Sequence, residues 1–127
     1  MLKLTYSDLG LSLVRLPDAL EDVIARRSLL AVRTGQALHI EPSCASFLAP
    51  VYLTALPVLN RAITRTGAED IAITSVDDEC VEINLRGLWV SSRIEAHEGI
   101  FLLSLPRVIE ILLEQIWQET EFELASL

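Results

Sequence analysis

The fold turns on Ile71-Ala72-Ile73-Thr74 and Val81-Glu82-Ile83-Asn84-Leu85-Arg86. In both runs apolar residues alternate with smaller or polar ones. Successive strand residues point to opposite sides of a sheet, so a period of two marks a strand with one face inward. Asp77-Asp78-Glu79 lies between the runs, where short acidic side chains suit a turn and oppose further pairing. Downstream, Gly87 interrupts the alternation before Leu88-Trp89-Val90, which predicts a bulge or bend. Ser91 to Glu98 reads as a polar loop. Gly99 to Leu105 is apolar on both faces and reads as another strand. Pro106 ends it and opens a helix over 107–120.

Upstream of this meander, residues 1–16 read as a β-hairpin. Leu2, Leu4 and Tyr6 alternate with Lys3 and Thr5, and Ser7, Asp8 and Gly10 supply the turn. Pro17 and Asp18 start a helix with acids in its first turn and Arg26, Arg27 and Arg33 further on, which suits the helix dipole. Gly35 stops it, and Leu20, Val23, Ile24, Leu30 and Ala31 form its inward stripe. Ala37 to Glu41 predicts a short strand limited by Pro42. Ser43 to Leu53 reads as a connector, one apolar enough either to pack down on the sheet or to leave a sticky surface. A second helix spans 54–66, with Thr54 as its cap, Pro57 in its first turn, and Leu56, Leu59 and Ile63 at helical spacing. The predicted order is ββαβαβββα: an α+β fold with an antiparallel sheet of five to six strands and three helices packed on it. The whole chain, 1–127, reads as one domain. Residues 118–127 read as a frayed end or an added strand.

Composition narrows the function classes. The chain has 127 residues, 51% of them hydrophobic, and a formal charge of −8 from 18 acids and 10 bases. That balance repels phosphate backbones and disfavours nucleic acid as a partner. The start of the chain has no long apolar h-region, and no apolar run approaches a membrane span. A cytoplasmic protein with no membrane partner is therefore expected. Cys44 and Cys80 lack CxxC spacing and read as free thiols.

No motif here carries chemistry. His39 and His97 are the only histidines, and a metal site needs several converging ligands. Glu95, His97 and Glu98 could begin such a site, but a solvated loop explains them as well. The acidic turn lacks the glycine and spacing of a calcium loop. Neither thiol has a base nearby in sequence, and Ser43-Cys44-Ala45-Ser46 lacks the flanking glycines of a nucleophile elbow. There is no glycine pattern for phosphate binding. The expectation is a protein without catalysis, metal or cofactor.

What remains is apolar surplus, in Phe47 to Leu53, in Leu88 to Val90, and in the last strand and helix. On this helix apolar residues cover most of the circumference, leaving Glu110, Glu114 and Gln118 as one polar row. All of it can be core. Alternatively part of it meets another chain, with Leu88, Trp89, Val90, Phe101, Leu103, Ile109, Leu113 and Trp117 as the partner-binding set and the aromatics as anchors. Acidic residues at the rim would then favour a basic partner tail, with affinity falling as salt rises. A homodimer and a small-ligand or enzyme site in a sheet–helix cleft are the rival readings.

Three segments also carry a resemblance: Glu41-Pro42-Ser43-Cys44-Ala45-Ser46-Phe47-Leu48, Val81 through Val90, and Glu98-Gly99-Ile100-Phe101. With the opening Leu2-Lys3-Leu4-Thr5-Tyr6, they resemble a small cyanobacterial family, that of the carboxysome assembly factor CcmS. The resemblance implies a cytoplasmic, carboxysome-associated, non-enzymatic chaperone in carbon dioxide fixation. Its partner would be the C-terminal extension of a shell protein. These patterns belong to a fold rather than to a chemistry, so no binding residue carries over one by one.

Overall fold

The strands predicted from alternation are present, in the predicted order. The computed structural model describes residues 1–93 and 96–125, with the backbone alone for 121–125. The elements are β1 (Leu2–Ser7), β2 (Gly10–Arg15), α1 (Leu20–Thr34), β3 (His39–Pro50), α2 (Ala55–Thr66), β4 (Ile71–Ser75), β5 (Cys80–Ser91), β6 (Gly99–Leu103) and α3 (Arg107–Ala125). The fold is α+β. The six strands form one sheet in the order β2-β1-β6-β5-β3, with β4 also bonded to β5. The chain divides into two compact units, Met1–Ser43 with Gly87–Ser104, and Cys44–Arg86 with Leu105–Leu127.

In the first unit the β1–β2 hairpin runs in register from Leu2 opposite Arg15 to Ser7 opposite Gly10. β6 pairs the other side of β1, placing Leu4 opposite Phe101 and Leu2 opposite Leu103. The far end of β5 then sets Trp89 opposite Phe101 and Val90 opposite Ile100. Ile100, Phe101, Leu102 and Leu103 are all buried, which is why β6 carries no polar partner residues. On one face Val90, Ile100 and Leu102 pack with Val23 of α1, flanked by Leu20, Ile24, Leu38 and Ile40.

β5 continues as strand through Gly87. A Cβ there would run into the Leu102 carbonyl oxygen and lie 2.9 Å from Phe101 Cζ. The residue is small because another backbone and an aromatic ring approach it closely.

α1 begins at Leu20, after Ala19, and ends as predicted. Gly35 takes φ 68°, and the Gln36 N–H donates to the Ala31 carbonyl at 3.0 Å. Val23 and Ala31 face inward, but Leu30 does not; it is 60% exposed. Neighbouring helical residues are about 100° apart, so Ala31 occupies the inward position and Leu30 turns out.

In the second unit the expected connector after Ser43 is strand instead. β3 runs unbroken to Pro50, with Ala45, Phe47 and Ala49 buried between exposed Cys44, Ser46 and Leu48. Its prolines disguise it, because each removes a ladder donor and normally marks a strand's end. α2 buries Ala55, Leu56, Leu59 and Ala62 and packs against α3. Thr54 is not its side-chain cap: it has helical backbone angles and makes no capping hydrogen bond. β4 and β5 pair from Ile71 opposite Leu85 to Ser75 opposite Val81. Asp77 makes the turn, its Oδ1 accepting the Glu79 and Cys80 N–H groups at 2.7 and 2.9 Å.

α3 buries Ile109, Leu112, Leu113 and Ile116. Glu110 leaves the predicted polar row and is buried at 3% exposure. Its carboxylate reaches back before the helix, where Oε2 accepts the Leu105 N–H at 2.9 Å. An acid in the first turn also suits the positive end of the dipole. The helix continues to Ala125, so residues 118–125 are not an added strand; 126 and 127 lie outside the described residues.

Candidate binding surfaces

An aromatic pair forms where β1, β6 and β5 lie side by side. Trp89 stands edge-on to Tyr6, with ring centroids 5.4 Å apart and planes at 75°. The Tyr6 hydroxyl is partly shielded, and burial pushes its pKa above the ordinary tyrosine value. Gly99 makes room for the indole: a Cβ there would lie 2.8 Å from Trp89 Cζ2.

Tyr6 and Trp89 are half-buried, while their neighbour Phe101 is interior. Of the eight residues expected to meet a partner, Val90, Phe101, Leu103, Ile109 and Leu113 are buried within the chain. Leu88, Trp89 and Trp117 are half-buried. Trp117 packs edge-on against Phe47, centroids 5.4 Å apart. The sheet set and the α3 set belong to different units. Their size and lack of polar neighbours fit a core as well as an interface, and periodicity cannot separate the two.

The exposed apolar side chains lie elsewhere. In the second unit Leu48, Val51, Tyr52, Val58 and Val76 are open to solvent, as are Val108 and Ile111 on the outer side of α3. An open groove of about 420 Å³ runs between α2 and β4, lined by Val51, Leu56, Pro57, Asn60, Ile73, Ser75 and Val81. Among the described residues β4 is paired only with β5, along one of its edges. The acidic turn Asp77-Asp78-Glu79 follows β4 in the chain and is exposed. Charge is strongly partitioned: the second unit holds eleven acids and four bases, a net of −7, while the first holds seven and six, a net of −1.

The residues with chemical potential do not converge. His39 Nε2 lies 3.3 Å from the Glu41 carboxylate, two residues along the same strand, without the geometry of a hydrogen bond. His97 lines a shallow, exposed depression with Asp8, Arg93 and Glu98. There the Asp8 carboxyl hydrogen-bonds to and repels Glu98, holding the Glu98 pKa above its usual value. Cys44 is an exposed free thiol and Cys80 a half-buried one. Among the described residues no three His, Cys, Asp or Glu side chains are grouped to hold a metal ion. Among the same residues no helix is long and apolar enough to cross a membrane.

The groove residues come from four separate stretches of sequence, and only their burial pattern in three dimensions joins them. One signal was available in advance. The segment Phe47 to Leu53 is too apolar for a loop, and it divides its side chains, burying Phe47 and Ala49 and exposing Leu48, Val51 and Tyr52. A family model described as Alr0857-like matches residues 1–121. No curated protein and no solved structure matches the chain.

Proposed function

The chain belongs to the Alr0857-like family, and we propose that it is a non-enzymatic binding factor that receives an extended tail of a partner protein in the α2–β4 groove. The observation that carries this reading is the coincidence of three features there: an apolar floor, a strand paired along one edge only among the described residues, and an acidic turn that follows that strand. A strand edge offers main-chain hydrogen bonds to an extended peptide, and the adjoining apolar positions take its alternate side chains. The exposed acids favour basic residues in that peptide and speed its arrival.

The partner chemistry is thus an extended, apolar segment with nearby Lys or Arg. The likeness to CcmS, together with the cyanobacterial name of the family, supports a specific candidate: the C-terminal extension of a carboxysome shell protein, met in the cytoplasm during assembly. This reading moves the working surface away from buried Phe101 and half-buried Trp89.

Calorimetric titration of the full chain with a synthetic shell-protein C-terminal peptide tests it. Binding in the micromolar range is expected, weakening as salt shortens the screening length from ~10 Å at 0.1 M to ~3 Å at 1 M. Absence of binding to both the peptide and the intact shell protein at low salt would overturn the proposal.

A further inference from the structure

A protein of net charge −8 carries a groove of the opposite sign. In the first unit an open groove of about 360 Å³ runs beside α1, lined by Lys3, Leu16, Val23, Arg26, Arg27 and Leu30. One acid, Asp18, also lines it, and its carboxylate is taken by Arg26 at 3.1 Å. Lys3 and Arg27 are half-buried, and among the described residues neither is held in an ion pair. Three cations and a single carboxylate line this groove, so its charge is only partly compensated. An incoming acid would relieve that imbalance. The apolar surface continues outward on α1, where Leu29, Leu30 and Val32 are 51%, 60% and 78% exposed.

The complementary ligand is therefore an acidic segment with large apolar side chains. This chain contains one: Glu119-Thr120-Glu121-Phe122-Glu123-Leu124 has three acids, two large apolar residues and no base. We infer that the α1 groove of one protomer receives this C-terminal stretch of a second copy. The contact is heterologous, groove to tail, so it builds chains of protomers unless the rotation between them closes a ring. It shares no residue with the α2–β4 groove, so its failure would leave the tail-binding reading untouched.

Sedimentation velocity on the full chain, across concentration and salt, tests the inference. The wild type is expected to associate at low salt and dissociate as salt rises. Lys3→Glu with Arg27→Glu, or Glu119→Lys with Glu121→Lys and Glu123→Lys, should each weaken association about tenfold or more, since like charges then meet across the contact. An equimolar mixture of the two charge-reversed proteins should associate again, because the reversed tail fits the reversed groove. Leu30→Asp, at an exposed position, should also weaken association while leaving the thermal melt unchanged. A wild type that stays monomeric throughout, association indifferent to both reversals, or no recovery in the mixture would each overturn the inference.

Discussion

The sheet around Phe101 and the groove beside β4 are built from the same residue types and end in opposite conditions. Around Phe101, strands on both sides and glycines at 87 and 99 let backbone and rings approach until little surface is left. Beside β4, which among the described residues has a strand partner on one edge only, Val51, Asn60 and Pro57 stand around an open floor. Apolar content is thus shared by a closed core and an open groove, and what distinguishes them is the cover over each. Substitutions in the first region should act on stability, and those in the second on binding.

The largest effect is expected at the closed region. Phe101 is 1% exposed, and Phe101→Ala should destabilise the chain by about 3–5 kcal/mol through lost burial and a residual cavity. Chemical denaturation measures this; a loss under 1 kcal/mol would break the contrast. Next comes the open region. Val51→Asp should weaken peptide binding about tenfold, ~1.4 kcal/mol, while the melting temperature stays near wild type, as read by calorimetry on both. The acidic turn separates its two roles within three residues. Asp77 holds two backbone N–H groups, so Asp77→Ala should cost ~1 kcal/mol of stability. Asp78→Ala should leave stability unchanged and reduce the salt dependence of binding.

The smallest effect concerns Glu98. Its pKa is raised by Asp8 in the folded chain, so folding favours its protonated form. That contribution is present at low pH and is lost as pH rises through the folded pKa. Glu98→Gln should therefore raise the melting temperature slightly at neutral pH and flatten its decline above the ordinary glutamate range. An unchanged pH profile would show that Glu98 ionisation is not linked to folding.

Much of the architecture was legible because most of the strands are half-buried and keep their period. Ile83 and Leu85, for example, are both buried between less buried neighbours. β3 was not, since Pro42 and Pro50 look like breaks and the pattern Ala45, Phe47, Ala49 carries only one large side chain. Leu30 and Ala31 compete for one inward position, and only packing decides between them. Glu110 is read as solvated from its spacing, yet a backbone N–H of Leu105 holds it inside. The grooves were less legible still: Val51, Asn60, Ile73 and Val81 share no periodicity, and their meeting is a tertiary event.

The proposed partner site is the α2–β4 groove, and not the Trp89–Phe101 region. Amide chemical-shift mapping of the full chain, titrated with the shell-protein tail peptide, tests it most directly. The predicted result is perturbation concentrated at Val51, Asn60, Ile73, Ser75 and Val81, with Trp89 and Phe101 left in place. Perturbation centred on Trp89 and Phe101, with the β4 edge silent, would contradict it.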